Sequence, residues 1–181
     1  MRYFSVARMS LLRSTTQLPR HAPPSLSLGS LGVMKSHRSV SLTFRLEVEE
    51  DWPPVAAESL PFIQFGETYE AQAAPLFVKH LSVGDKIRLL DVENDQVWSW
   101  EHVDKSANST VWLLRTDDVE VEPLLPPLHK IGCQTAWSSQ CGVCSVNVPL
   151  EVDVKRLDTY LSRLESKGLA VAFPSWRHND A

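Results

Sequence analysis

The residues that most constrain the fold are the ten from Val40 to Glu49, in which Val40, Leu42, Phe44, Leu46 and Val48 alternate with Ser41, Thr43, Arg45, Glu47 and Glu49. A period of two puts every apolar side chain on one face of an extended chain, so this segment predicts a half-buried strand. It runs into Glu50-Asp51-Trp52-Pro53-Pro54, where two prolines lack the N–H that a ladder needs and end the pairing. Downstream, Ser59 to Phe65 turns at Gly66-Glu67 into Thr68 to Ala73, the pattern of a hairpin. The turn at Val83-Gly84-Asp85 introduces Lys86 to Val92, and Glu93-Asn94-Asp95 leads back through Gln96 to Val103. Five short strands joined by tight turns predict a small antiparallel β-barrel of the SH3 or OB kind over residues 39–105, because closure removes exposed edges.

Residues 109–176 read differently. Thr110 to Arg115 is a strand, and Val119 to Ile131 carries a helical apolar pattern interrupted by Pro126 and Pro127 and stopped at Gly132. A proline inside a helix removes a hydrogen bond and costs ~3 kcal/mol, so this helix is expected to start late and stay short. Cys133 to Trp137 and Val143 to Val148 form a second hairpin. Asp153 then stands as an N-cap before Val154, Leu157, Leu161 and Leu164, spaced for one helix face, with Gly168 past the end and Leu169 to Phe173 as a closing strand. The order β-α-β-β-α-β predicts a ferredoxin-like α+β module, and the whole chain an α+β protein.

Charge separates the N-terminus from this body. The net charge of −4 conceals six basic residues and no acid in residues 1–38, which leaves twelve basic against all 22 acidic residues downstream, a net of −10. Residues 1–38 show no sustained period, and Arg8 and Arg13 interrupt the one apolar stretch that could serve as a secretory core. They are expected to lie outside the fold, as a disordered or mis-annotated extension. Met34-Lys35-Ser36 stands just ahead of the first strand, and translation from Met34 is the reading adopted over a transit peptide. The acidic body argues against nucleic-acid binding, which needs clustered Lys and Arg, and no apolar run approaches the ~20 residues that cross a bilayer. A cytoplasmic protein with a basic protein partner fits this balance.

The run Phe44-Arg45-Leu46-Glu47-Val48-Glu49-Glu50-Asp51-Trp52-Pro53-Pro54-Val55, then Glu58-Ser59-Leu60, then Pro75-Leu76-Phe77-Val78-Lys79 with Leu81-Ser82-Val83-Gly84-Asp85, resembles an uncharacterised bacterial domain-of-unknown-function family. The similarity extends from about Leu42 to Phe173 and includes a Gly-Cys pair matching Gly132-Cys133. The resemblance implies a small bacterial cytoplasmic protein. It carries over no catalytic residue, since the family has no established activity, and the sequence departs from its pattern at Pro126, Pro127 and the N-terminal extension.

Candidate chemistry is sparse. His129, Cys133, Cys141 and Cys144 offer four soft ligands, and Cys141-Gly142-Val143-Cys144 is a C-x-x-C, so zinc is the alternative to ordinary thiols. Cys144 shares strand parity with Val146 and Val148 while Cys141 does not, and a strand rather than a helix follows, which disfavours both zinc and a redox dithiol. Three cysteines cannot pair fully, which fits a reducing compartment. The histidines His21, His37, His80, His102, His129 and His178 form no metalloprotease pair, and no phosphate loop or nucleophile elbow occurs. His102 beside Asp104 is a base-and-carboxylate alternative to a solvated imidazole. No metal or other cofactor is expected.

The remaining features are aromatic and acidic. Trp98, Trp100 and His102 share one parity on a strand, so they either pack the barrel against the second module or form an exposed row that grips a partner. Acids cluster at Glu47, Glu49, Glu50 and Asp51, next to Trp52, and again at Asp117, Asp118, Glu120 and Glu122. Carboxylates at this density are solvated faces or the complement of a basic surface. The expected function is non-enzymatic protein binding through Glu49, Glu50, Asp51, Trp52, Trp98, Trp100, Asp117 and Asp118, in its concrete form an immunity-type inhibitor of a basic bacterial toxin. A small-molecule sensor is the alternative, and an unrecognised hydrolase the third.

Overall fold

The structure, a computed structural model, describes residues 37–116 and 118–178. The reading made for residues 1–38 therefore falls, apart from His37 and Arg38, outside the described residues, as does Asp117. The described chain is α+β and mostly strand, with a closed five-stranded barrel and a separate four-stranded sheet.

The barrel is a meander of β1 (Arg38–Arg45), β2 (Ala57–Phe65), β3 (Thr68–Ala71), β4 (Lys86–Glu93) and β5 (Gln96–Asp104). Successive strands pair antiparallel, but closure falls to a parallel pairing of β1 with β5 through Thr43↔Gln96 and Phe44↔Val97. The expectation of a wholly antiparallel barrel is thus corrected. In an up-and-down meander the first and fifth strands point the same way, so an odd strand number must close in parallel. Phe44, Leu60, Phe62, Ile87 and Val97 fill the interior.

β1 ends earlier than its alternation suggests, at Arg45 rather than Val48. Its partner in register beyond Arg45↔Ala57 would be the segment leading back to Pro53 and Pro54, which cannot donate, so pairing stops after one more bond from Leu46 N–H to the Ala56 carbonyl at 2.9 Å. The β4–β5 turn places Asn94 and Asp95 both at positive φ, 50° and 60°, the two-residue hairpin turn whose twist matches that of its strands.

The second sheet runs β7 (Gln134–Ser138), β8 (Val143–Val148), β6 (Ser109–Arg115), β9 (Leu169–Ser175), antiparallel throughout. A 3₁₀ turn at Glu122–Leu124 leads into α1 (Pro126–Ile131). The two prolines sit in its first turn, where their missing N–H groups would have had no intrahelical partner anyway, and Gly132 closes it at φ 107°. The helix is late and short for that reason. In α2 (Val154–Glu165) the Asp153 carboxylate accepts from Lys155 N–H at 3.0 Å and Arg156 N–H at 3.2 Å. Leu157, Leu161 and Leu164 of α2 and Leu128 of α1 bury against Val111, Leu113, Cys144, Val146 and Val148 on one sheet face. Each such leucine contributes about 1.5–3 kcal/mol by leaving water.

The other face of β8 and β6 is also covered, because the segment between β3 and β4 crosses it. Trp112 Nε1–H donates to the Pro75 carbonyl at 2.7 Å, Ser145 Oγ to Ala74 at 2.9 Å and Thr110 Oγ1 to Leu81 at 3.0 Å. Two-sided burial explains why β8 is buried at every position instead of alternating.

Candidate functional site

A cleft of about 930 Å³ opens where β1, β5 and the β3–β4 segment meet. Its first wall is the chain leaving β1. Glu49 and Trp52 exchange backbone hydrogen bonds at 2.8 and 2.9 Å around a two-residue turn, with Glu50 at φ 50° and Asp51 at φ 62°. Such a turn ordinarily takes Asn-Gly, and two acidic side chains there cost of order 1 kcal/mol each. The turn projects Glu49 and Glu50 into solvent at the cleft edge, and Trp52, followed by a cis bond to Pro53, sets its ring edge-on against Phe77 at 5.6 Å.

The second wall is Leu76 to Lys79, fixed by a residue that sequence reasoning passed over. The buried Glu58 carboxylate of β2 accepts three consecutive backbone N–H groups, from Leu76 at 2.6 Å and from Phe77 and Val78 at 2.9 Å each. Burial pushes its pKa up and the three N–H bonds pull it down, with burial the stronger. The signal was present: Glu58, Leu60 and Phe62 share one parity, which places a carboxylate at an interior position.

The third wall is β5, where the expected row of Trp98 and Trp100 is broken. Pairing shifts between Asp91↔Ser99 and Val92↔Val97, a bulge that leaves Trp98 extra to the ladder. Trp98 turns outward, 47% exposed, with the Arg45 guanidinium 4.4 Å above its ring. Trp100 turns inward onto Phe44, edge-on at 6.4 Å. Both still line the cleft. Glu47, Glu49 and Glu50 line it too and make no ion pair among the described residues, and Lys79 and His80 complete the lining.

Of the expected partner-binding residues the structure brings together Glu49, Glu50, Trp52, Trp98 and Trp100. Asp51 is exposed at the turn tip without lining the cleft, and Asp118 is exposed elsewhere. Among the described residues no group of three or more His, Cys, Asp and Glu is placed to hold a metal ion, so His129, Cys133, Cys141 and Cys144 are not united as the zinc alternative required. His129 Nε2 meets Thr135 Oγ1 at 2.7 Å, while burial pushes the Cys133 thiol up to about 11 and Cys144 up to about 12. Both are packing thiols.

A second buried carboxylate was likewise missed. Asp85 accepts from Ser82 N–H at 2.9 Å, Ser106 N–H at 2.8 Å and both ends of the Arg177 guanidinium, with Nη2 at 2.6 Å from Oδ2. His102 Nε2 lies 3.2 Å from the same oxygen, so its carboxylate partner is Asp85, not Asp104. Burial alone would raise the Asp85 pKa; Arg177 and the two backbone donors outweigh it and hold it below the usual carboxylate range. Nearby, His178 Nε2 faces the Pro149 carbonyl at 3.1 Å and must donate to it, which leaves Nδ1 to accept from Ser109 Oγ at 2.7 Å. Both residues are buried, and with Arg177 N–H donating to Ser109 Oγ at 2.8 Å they clamp the chain after β9.

The fold and site together define a small, strand-rich α+β protein with an aromatic, carboxylate-edged cleft beside a closed barrel. Residues 58–172 match the family described as a domain of unknown function, DUF4265, and the chain belongs to it. The match begins after the acidic Trp-Pro-Pro-Val segment. No curated protein matches the chain. A crystal structure of a hypothetical protein from Neisseria gonorrhoeae is similar in fold, with a TM-score of 0.59 at 18% identity over 77% of this chain and 96% of that one. No helix among the described residues is long and apolar enough to cross a membrane.

Proposed function

We propose that this protein is a non-enzymatic binding module whose cleft takes a cationic segment of a protein partner. The observation that carries it is the cleft itself, which sets three unpaired glutamates beside Trp52, Trp98 and Trp100. Exposed tryptophan faces attract ammonium and guanidinium groups, and Arg45 over Trp98 shows that the ring already accepts one. The two acidic residues kept at positive φ support a selected surface, since a stable turn needs neither. An immunity-type inhibitor of a basic bacterial toxin is the concrete form of this reading. Strand order β9-β6-β8-β7, with α1 and α2 on one face, supports a ferredoxin-like second module beside an SH3- or OB-like barrel.

Titration of the protein with a Lys/Arg-rich peptide tests this, read by tryptophan emission at low and high salt. The expected result is a saturable change that salt weakens and that E49Q/E50Q reduces by at least about fivefold. Absence of any saturable change at low salt would sink the reading. The small-molecule alternative draws on a groove of about 550 Å³ between α2 and β9, lined by Leu157, Leu161, Phe173 and Trp176, a size that suits a small ligand.

A further inference from the structure

The helical layer carries a surface of opposite sign. α1 and α2 border a shallow groove of about 450 Å³ whose charged lining is Lys130, Lys155, Arg156 and Arg163, with no carboxylate among its lining residues. All four cations are exposed and none joins an ion pair among the described residues. None of the acids of α2 and its cap lines it: Asp153 accepts from the first-turn N–H groups, Asp158 lines the neighbouring apolar groove together with Lys155, and Glu165 ends the helix. Four uncompensated like charges on one face repel one another, an arrangement that a surface built only for solubility, in a body of net −10, would not collect.

The shape of the patch narrows its ligand. Lys155 to Arg163 spans about two helical turns, roughly 12 Å, so the charges form a line rather than converging on a point. The floor between them is apolar, made by Ile131 and Tyr160. Tyr160 is fixed there by its hydroxyl, which donates to the Leu124 carbonyl at 2.7 Å. A lone phosphate would want converging N–H donors. A nucleic acid would extend past the patch onto a body whose net charge repels it. We propose that this groove docks an acidic protein segment in which carboxylates flank one apolar side chain.

The test uses the full chain and a fluorescently labelled Asp/Glu-rich peptide with a central leucine, followed by anisotropy. Expected is saturable binding that salt weakens, that R156Q/R163Q lowers by at least about tenfold, and that K105Q, outside the groove, leaves unchanged. E49Q/E50Q also leaves it unchanged, which separates this groove from the cleft. K130Q/K155Q gives the same readout should the first variant lose its native circular dichroism. The proposal is overturned by no saturable binding at low salt, by undiminished affinity in the folded groove variants, or by tighter binding of a single-stranded oligonucleotide or of phosphatidylglycerol vesicles than of the peptide.

Discussion

Asp85 joins three parts of the chain that are distant in sequence: the β3–β4 turn, the β5–β6 connection at Ser106 and the residues after β9 at Arg177. Removing one partner of a buried pair strands the other charge, so D85N is expected to cost about 3 kcal/mol at neutral pH. The pH dependence follows from the direction of its shift. Its carboxyl is more acidic folded than unfolded, so its contribution is complete above the unfolded value of about 3.9 and drains away as pH falls through the folded value. Urea unfolding of wild type and D85N should therefore give stabilities that converge below about pH 4. A gap that stayed constant down to pH 3, about one unit below that unfolded value, would contradict this assignment. Glu58 works in the opposite sense, since its raised pKa makes ionisation costlier in the folded state. The parity of Glu58 with Leu60 and Phe62 marks its interior position, but the partners of both carboxylates, backbone N–H groups and the distant Arg177, are pairings that neither a period nor a spacing records.

At the scale of elements, much of the fold was legible. The strand through Val40 to Arg45, the Asp153 cap and the short first helix follow from alternation, side-chain capping and the position of two prolines. What escaped was set by tertiary pairing. The parity of Trp98 and Trp100 was misread because a bulge shifts the β4–β5 register, and the end of β1 was misplaced because the proline-bearing segment opposite could not pair. The Glu50–Asp51 turn gives an element-scale prediction. E50N/D51G relieves two positive-φ side chains and is expected to raise stability by about 0.5–1 kcal/mol in chemical denaturation. The same substitution removes the Glu50 carboxylate from the cleft edge and should weaken cationic-peptide binding. A variant that gained nothing in stability would show that the turn is unstrained.

Across the whole molecule there are two hydrophobic cores, one inside the barrel, which takes in Val78 and Leu81 of the β3–β4 segment, and one between the helices and the sheet. The glutamate-edged cleft and the basic groove belong to these different layers. The barrel's parallel closure bears on the first of them. β1 and β2 are laced through eight register pairs, β1 and β5 through only two, and Phe44 and Val97 of that brief seam also line the cleft. Amides that bond across the β1–β5 seam should take up deuterium well before those that bond across the β1–β2 ladder. A guest seated across the join would act as a stitch, slowing that leak, so exchange at the seam reports whether the cleft is occupied.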